Sequence, residues 1–258
     1  MKKSIFAASL LIAGVAIADS TTVETSYVIG VLPVAATNKT QMILSIPWVQ
    51  EGTGGDLAVS NVVKTAGLTV GDTLTWYNTS TGKYQNWRLE ANGSDVLEWK
   101  EVTTVGSNEE SAIAPTTPSF KQGQAMVLTR AATPTNTVYI VGQVGTSATK
   151  TTTFAKGYTL VAPPRTAATD LNSSDDVTGW DSSCAGDMIY VVLSGDDKRD
   201  RLDTYTYANG KWGVVTYSNR EWTHGETAVL PAGTGFYYMR ASEGSLTVTW
   251  KSVPAMAE

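Results

Sequence analysis

Polar and apolar residues alternate along several short segments of the chain. The alternation is strict in residues 73–76, 203–207 and 246–250, the last of which reads Leu-Thr-Val-Thr-Trp. A period of two carried by β-branched and aromatic residues predicts strands with one buried face. Asn- and Gly-rich turn residues follow or separate such segments, at 78–82, 92–93, 209–210 and 243–244. The pattern therefore predicts an all-β fold.

Helical periodicity is weak. The best candidate for a helix is the short segment Asp56–Lys64, whereas Asp170–Asp176 is rich in Ser and Asp and is predicted to be a loop. Asn209-Gly210 lies between the alternating segment 205–207 and Trp212. Asn and Gly tolerate the positive φ angles that tight primed turns need, so this dipeptide predicts a β-hairpin.

The chain carries one pattern twice. Gly71-Asp72 opens a segment that matches the one opened by Gly186-Asp187, 115 residues later. Two further matches keep the same order: residues 44–47 with 160–163, and 120–130 with 230–240. A period this long indicates a duplicated unit. We therefore predict two tandem homologous lobes, residues 26–145 and 146–254, each an antiparallel β-sandwich or a barrel-like unit.

The N-terminal strand carries the pattern that ends each copy. Val28–Val31 resembles the segment 140–144, and residues 248–255 echo 28–35. Three interpretations stay open. The segment is an ordinary first strand, it pairs beside the last strand and closes an exposed sheet edge, or it is donated to a neighbouring molecule. Donation would mean self-association through the terminal strands.

Residues 1–18 have the pattern of a secretory signal peptide. Lys2 and Lys3 precede an apolar run, and Ala16-Ile17-Ala18 forms a cleavage site that predicts a mature start at Asp19. The alternatives are a buried helix or a membrane anchor, but the run is too short to span a bilayer. We expect an exported protein, located in the periplasm, on the cell surface or outside the cell, with no membrane span.

The charge balance limits the class of partner. Without Lys2 and Lys3 the 19 basic residues become 17 against 24 acidic ones, a net charge of −7. An acidic chain without a basic stripe argues against nucleic acid as a partner. Charged residues make up only 17% of the chain. This composition, with abundant Thr, Ser and Gly, is typical of exported β proteins.

Catalytic groups are scarce. The chain has one histidine, His224, and one cysteine, Cys184. One of each makes a zinc site improbable, and no Gly-x-Ser-x-Gly nucleophile motif occurs. His224 is predicted to be a polar loop residue, and no cofactor is expected. Cys184 is predicted to be a small buried side chain, with an intermolecular disulfide as the alternative.

Carboxylates allow two weaker hypotheses. A glycoside hydrolase needs two facing carboxyl groups, and the candidates are Glu98, Glu101, Asp187, Asp203 and Glu221. A second cluster offers hard oxygen ligands suited to calcium, at Asp196, Asp197, Asp200 and Asp203. The calcium cluster lacks EF-hand spacing and is interleaved with cations. A solvated, salt-bridged loop is therefore the alternative interpretation.

Aromatic residues are the best indication of a binding function. Of the eight Trp, Trp76 and Trp250 lie in alternating segments and are predicted to be in the core. Rings near turn-rich stretches could stack on the C–H faces of sugars. The candidate rings are those of Trp87, Trp99, Tyr205, Trp212 and Trp222, and the candidate basic residue is Arg220. The alternative is that these rings fill the core of a chain that has only four Phe.

The second copy contains a Gly-Asp strand, then Gly210-x-Trp212, then Gly233-x-Gly235-Phe-aromatic-x-x-Arg240. This order resembles an uncharacterised group of exported, internally duplicated β-rich proteins from bacteria with complex envelopes. The resemblance covers most of the mature chain and implies a fold and a location, without an activity. The first copy departs from it at Ala125, which occupies the place of Gly235.

Three functions follow from these observations, in order of preference. The first is an exported, non-enzymatic structural or interaction protein of the bacterial cell envelope or surface. The second is a carbohydrate-binding module that uses exposed Trp or Tyr, and the third is a glycoside hydrolase. Enclosure of all four of Trp87, Trp99, Trp212 and Trp222 in the core would rule out the second.

Overall fold

The computed structural model confirms the all-β prediction. It describes residues 29–35, 41–46, 62–78, 83–105, 109–112, 123–132, 137–143, 149–193, 201–218 and 221–251. We call β1 to β8 the first lobe. Its strands are β1 Ile29–Ala35, β2 Gln41–Ser45, β3 Thr73–Asn78, β4 Lys83–Ala91, β5 Leu97–Val105, β6 Glu109–Ala112, β7 Ala125–Thr129 and β8 Thr137–Gln143.

We call β9 to β19 the second lobe. Its strands are β9 Thr149–Phe154, β10 Gly157–Val161, β11 Thr169–Asp170, β12 Val177–Thr178, β13 Met188–Leu193, β14 Arg201–Ala208, β15 Lys211–Ser218, β16 Glu221–His224, β17 Val229–Leu230, β18 Phe236–Arg240 and β19 Leu246–Lys251. One 3₁₀ turn, Ser182–Cys184, precedes β13.

The two lobes have the same strand order. The six-stranded sheet of the first lobe runs β2-β7-β3-β4-β5-β6, and that of the second runs β10-β18-β13-β14-β15-β16. Each strand of the first sheet has its counterpart at the same place in the second. A smaller sheet accompanies each of them, β1-β8 in the first lobe and β12-β19-β9 in the second. All recorded strand pairs are antiparallel.

Each lobe has its own core, which lies between its six-stranded sheet and the smaller sheet that contains β1 or β19. Leu32 and Ile140 of the small sheet pack with Leu74 and Trp87 of the large sheet in the first lobe. The corresponding layers meet in the second lobe, where Trp250 and Val248 face Phe236 and Ile189. Burying one Leu or Phe side chain contributes roughly 1.5–3 kcal/mol. Two packed layers per lobe are compatible with a β-sandwich.

The N-terminal strand lies within the first lobe. β1 pairs with β8 from Ile29 opposite Gln143 to Ala35 opposite Thr137. It therefore has the position of an ordinary first strand. The last described strand of the chain, β19, lies between β12 and β9, so β1 does not close the sheet beside it. Donation of β1 to a neighbour would require breaking the β1–β8 pairing.

The predicted hairpin at Asn209-Gly210 is confirmed. It joins β14 to β15, with Ala208 opposite Lys211. Asn209 and Gly210 have φ angles of 54° and 79°, as a primed turn requires.

Residues 171–176 form turns and not a helix, as predicted. The predicted helix 56–64 lies outside the described residues up to position 61. Of the rest, Val62 is helical and Val63 forms an isolated β-bridge. Within the described residues no helix is long and apolar enough to cross a membrane.

A buried ion pair recurs in both lobes. Asp72 Oδ2 accepts a hydrogen bond from Arg130 Nε at 2.8 Å, and Asp187 Oδ2 accepts one from Arg240 Nη1 at 2.8 Å. All four side chains are at most 2% exposed. The Tyr238 hydroxyl also donates to Asp187. These residues are the Gly-Asp and terminal Arg positions of the repeated pattern, which explains why a chain with few charges places a charge there twice.

Candidate functional site

The two lobes are joined by backbone hydrogen bonds. Ser45 N, on β2, donates to Gly233 O at 2.9 Å, and Gly235 N donates to Ile43 O at 2.8 Å. The Ser45 hydroxyl donates to Pro163 O at 2.6 Å in a buried position. The segment before β18 therefore pairs with the edge strand of the first lobe. Paired backbone groups fix the relative position of the lobes more tightly than side-chain contacts alone would.

The glycines of the Gly233-x-Gly235 motif allow this close approach. A Cβ atom on Gly235 would lie 2.6 Å from Ile43 Cγ2 and 2.9 Å from Val161 O. Gly233 adopts a φ of 71°, and a Cβ there would lie 2.6 Å from Val34 Cγ2. The motif forms a turn before a strand, as expected from the sequence. Its tight contact with the other lobe is a feature that the sequence does not reveal.

An apolar seam completes the junction. Its buried members are Ile43, Ala125, Val127 and Ala162, with Leu160 and Tyr237 packed against them. Ile43 and Val127 lie on the face of the first sheet that points away from the first core, because they alternate with core residues along β2 and β7. The lobes therefore bury outward-facing apolar residues against each other.

Beside this seam lies an open groove of about 410 Å³, which we call the tyrosine groove. Both lobes line it. The nine lining residues come from β3, β4, β10 and the start of β7, and are Trp76, Tyr77, Tyr84, Gly123, Gln124, Ala125, Tyr158, Thr159 and Leu160. The groove is thus a feature of the junction, and neither lobe forms it alone.

The first-lobe wall of the groove is an exposed tyrosine pair. Tyr77 and Tyr84 lie opposite each other on β3 and β4. Their ring centroids are 5.0 Å apart, and the planes are tilted by 59°. Tyr84 is 64% exposed, so one face of its ring is open to solvent. Since aromatic pairs stabilise each other at this distance, the two tyrosine rings form a preformed aromatic surface.

The second lobe contributes one tyrosine, Tyr158, to the lining. Tyr158 on β10 is 71% exposed, and its ring centroid lies 6.3 Å from that of Tyr190 on β13. Tyr237 on β18 lies opposite Tyr190. Burial raises the pKa of Tyr190, and the neighbouring Tyr158 raises it further. Burial and the neighbouring Tyr84 likewise raise the pKa of Tyr237. Both phenols therefore remain neutral hydrogen-bonding groups at physiological pH.

The polar atoms of the lining are amide and hydroxyl groups. Gln124 contributes a carboxamide and Thr159 a hydroxyl, in addition to the tyrosine hydroxyls. None of the nine lining residues is an Asp, Glu, Lys, Arg or His. Trp76 is only 6% exposed and lies at the base of the groove. The arrangement can stack on a flat ligand and hydrogen-bond to it, and it offers no carboxylate or imidazole for proton transfer.

The predicted aromatic platform is corrected by the structure. Trp87, Trp99, Trp212 and Tyr205 are at most 7% exposed and belong to the two cores. They point inward because their strands place them in phase with the other core residues. Rings enclosed in this way have no free face for a sugar.

The other two members of the predicted platform are only partly described. Trp222 lies on β16 with its backbone opposite Tyr217, and its side chain lies outside the described residues. Arg220 lies outside the described residues altogether. The predicted core positions Trp76 and Trp250 are confirmed as buried.

Two of the candidate carboxylates have separate structural partners. Glu98 accepts a hydrogen bond from Asn92 Nδ2 at 2.6 Å, and Asp187 belongs to the buried ion pair. Among the described residues no group of three or more His, Cys, Asp or Glu could hold a metal ion. Of the calcium candidates, Asp203 lies on β14, and Asp196, Asp197 and Asp200 lie outside the described residues.

His224 and Cys184 have structural environments. His224 lies at the end of β16, not in a loop, and its Nε2 is 3.0 Å from Thr206 O. Cys184 is 0% exposed, and burial raises the pKa of its thiol. A buried, protonated thiol packs as a small apolar side chain and is inaccessible to an intermolecular disulfide.

The sequence analysis missed the tyrosines of the groove. A usable indication exists, since Tyr77 directly follows the buried Trp76, and Tyr84 lies three positions before the buried Trp87 on the same strand. An aromatic residue out of phase with the core residues of a strand points to the opposite face of the sheet.

Comparisons with protein-family models, with curated proteins and with solved structures find no match to this chain.

Proposed function

We propose that this chain is an exported, non-enzymatic interaction protein of the bacterial cell envelope or surface, and that it binds its partner in the tyrosine groove. One observation carries the proposal: an open groove at the lobe junction presents exposed rings and neutral polar groups. Such a lining suits recognition better than acid–base chemistry.

The proposal of export rests on residues 1–18. A short basic start, an apolar run and a small-x-small cleavage site favour secretion and processing. The test is N-terminal sequencing of the protein from the periplasmic, surface and culture fractions of the producing cells. We expect a start at Asp19 in at least one of these fractions. An unprocessed chain confined to the cytoplasm would overturn this part of the proposal.

We also infer that the two lobes arose by duplication. The identical strand order and the recurring Asp–Arg pair support this inference. Its functional meaning is that one scaffold is used twice, and that the groove forms where the copies meet. A two-lobed binding protein of this kind needs both lobes to present its ligand surface.

The non-enzymatic part of the proposal is tested by product analysis. A glycoside hydrolase would need two carboxyl groups facing each other across the substrate. No carboxylate lines the groove. We expect no release of reducing ends when the purified mature protein is incubated with oligosaccharides. Turnover that is lost on replacing a carboxylate would favour the hydrolase hypothesis instead.

The binding part is tested by retention on isolated envelopes. The mature protein is incubated with envelope fractions of the producing bacterium, sedimented and quantified, alongside the double variant Tyr84→Ala/Tyr158→Ala. Tyr139→Ala is a matched control, because Tyr139 is a 38% exposed tyrosine on β8, away from the groove lining. We expect the double variant to lose retention and the control to keep it. Equal retention of all three proteins would refute binding through the groove.

The carbohydrate-binding hypothesis gains support from a different set of residues than those first expected. The exposed rings of Tyr84 and Tyr158 take the place of the buried Trp rings. They have the amphipathic character that sugar recognition uses, with an apolar face and a polar hydroxyl.

A further inference from the structure

We infer that the ligand of the tyrosine groove is a neutral glycan that contacts both lobes at once. This inference rests on the proposal that the groove is the binding site, and it adds the chemical class of the ligand. Three properties of the lining point to it: the placement of ring faces, the inventory of hydrogen-bonding groups and the absence of charge.

The ring faces of the lining come from both lobes. Tyr77 and Tyr84 belong to the first lobe, and Tyr158 belongs to the second. The two most exposed of these rings, Tyr84 and Tyr158, are 64% and 71% accessible to solvent. A pyranose ring presents an apolar C–H face of similar width to a phenol, so each wall can stack on one sugar unit. A ligand with consecutive flat units would use both walls.

The polar groups of the lining both donate and accept hydrogen bonds. The tyrosine and Thr159 hydroxyls have this dual character. Sugar hydroxyl groups have the same dual character, so each can pair in either direction. A hydrocarbon ligand would leave these groups unpaired on burial, which costs binding free energy.

Charge excludes two other classes of ligand. The nine lining residues carry no formal charge, and the mature chain has a net charge of −7 from 17 basic and 24 acidic residues. An anionic polysaccharide would be repelled by the chain as a whole. A cation does lie beside the lining, since the Cδ of Lys150 would be 3.3 Å from a Cβ on Gly123. A cationic ligand would lack a carboxylate there.

A protein partner is less well matched than a glycan. Protein interfaces concentrate their binding energy in anchors that become fully desolvated within aliphatic and aromatic pockets. The aliphatic part of this lining is limited to Ala125 and Leu160, and Ala125 is already buried in the junction seam. The largest exposed side chains of the lining are Tyr84 and Tyr158, and a flat ligand can stack on their rings.

The rigid junction favours such binding. The hydrogen bonds of Ser45 with Gly233 and of Gly235 with Ile43 fix the distance between the two walls before the ligand arrives. A preformed site avoids the entropic cost of ordering loops on binding. Since the walls belong to different lobes, removal of the tyrosine on either wall should weaken the same binding event.

Tryptophan emission can report on binding, because Trp76 lies in the lining. We would titrate the mature protein with neutral hexasaccharides (cellohexaose, laminarihexaose, maltohexaose and mannohexaose) and with the anionic hexagalacturonate. We expect a saturable change with at least one neutral probe and none with the anionic one. Tyr84→Ala and Tyr158→Ala should each raise the dissociation constant about tenfold, and Tyr139→Ala should leave it unchanged. Saturable binding of hexagalacturonate that depends on Tyr84 and Tyr158 would overturn the assignment to neutral glycans.

The envelope assay separates failure of this inference from failure of the proposed function. Envelopes are treated either with periodate, which cleaves the vicinal diols of sugars, or with a protease. Retention that depends on Tyr84 and Tyr158 and is lost after periodate supports a glycan. Retention that depends on the same tyrosines but is lost only after protease overturns the glycan inference and leaves the proposed binding site intact. Retention that is indifferent to both tyrosines overturns both.

Discussion

The outer faces of the two large sheets differ, although their strand orders are the same. In the first lobe this face carries charged groups in addition to Tyr77 and Tyr84: Arg88 Nη2 lies 2.7 Å from Glu90 Oε1, and Lys100 Nζ lies 3.5 Å from Glu90 Oε2. In the second lobe the same face carries tyrosine and methionine. Its members are Tyr158, Met188, Tyr190, Tyr237 and Met239.

The difference shows which part of the scaffold is constrained. Both lobes keep an apolar inner face and a buried Asp–Arg pair. The outer face is free to vary once the core is satisfied. The first lobe uses it for solvated ion pairs, which contribute little to stability. Both lobes also place tyrosine rings on it, Tyr77 and Tyr84 in the first lobe and Tyr158 in the second, and these rings line the groove.

The largest expected effect concerns the ion pairs that the lobes share. Asp72→Ala and Asp187→Ala should each lower the free energy of unfolding by about 3–5 kcal/mol, because each leaves a buried guanidinium without its partner. Urea unfolding followed by Trp fluorescence measures the change. Glu243→Ala is the control, since the Lys156–Glu243 pair is exposed and its loss should cost at most about 1 kcal/mol. A cost at Asp72 or Asp187 no larger than the control would contradict the shared structural role.

The next effect distinguishes the two ion pairs. Tyr238 donates to Asp187, whereas the first-lobe counterpart of Tyr238 is Leu128. Tyr238→Phe should lower the unfolding free energy at neutral pH by roughly 1.5–3 kcal/mol, the range for a hydrogen bond to a charged group.

The same variant has a signature in alkaline solution. Burial, followed by the hydrogen bond to Asp187, raises the pKa of Tyr238 above its ordinary value. The folded state then holds its proton more tightly than the unfolded state, so stability is present below about pH 10 and is lost as the pH rises further. Urea unfolding between pH 8 and pH 11, roughly the range of tyrosine ionisation, should show a shallower decline for Tyr238→Phe than for the wild type. Parallel declines would show that Tyr238 contributes nothing to the pH dependence.

A third prediction concerns the junction between the lobes. Gly235→Ala should destabilise the protein by about 1–3 kcal/mol, because its methyl group would overlap Ile43 and the backbone at Val161. Gly93→Ala is the matched control, since a Cβ there meets no atom within 4 Å. The control should change the unfolding free energy by no more than about 0.5 kcal/mol. If both variants unfold at the same urea concentration, the junction is looser than described.

The smallest effect concerns the charged outer face of the first lobe. The hydrogen bond from Arg88 lowers the pKa of Glu90 below its ordinary value. Its stabilisation is therefore present above about pH 4.3 and is lost as the pH falls. Glu90→Gln should cost about 0.2–1 kcal/mol at neutral pH and less at high salt. Urea unfolding at low and high ionic strength checks this, and a cost that salt does not reduce would argue against an electrostatic origin.

The sequence was most informative where a local rule determines structure. Period-two alternation predicted the strands, and Asn209-Gly210 predicted a turn with positive φ angles that the structure contains. The matched Gly-Asp and Arg positions were found by repetition alone. Their pairing as buried ions was not predicted, since 58 residues separate Asp72 from Arg130.

The candidate site could not be located from sequence because exposure depends on how the lobes pack. Trp87 and Trp212 looked suitable for stacking by residue type, but the phase of their strands turns them into the cores. Tyr84 and Tyr158 form one groove only after the lobes dock, and no pattern along the chain relates them. The docking itself depends on Gly235, where the absence of a side chain is the decisive feature.

The most direct test of the central claim is tyrosine footprinting. The mature protein, free and bound to envelopes of the producing bacterium, is treated with tetranitromethane, and nitration of each tyrosine is measured by mass spectrometry. Tyr84 and Tyr158 are highly exposed in the free protein, and Tyr139 on the other side of the first lobe's core is the internal reference. Protection of Tyr84 and Tyr158 on binding, with Tyr139 unchanged, is the predicted result. Equal nitration of Tyr84 and Tyr158 in both states, in protein shown to be bound, would contradict the assignment of the groove as the binding site.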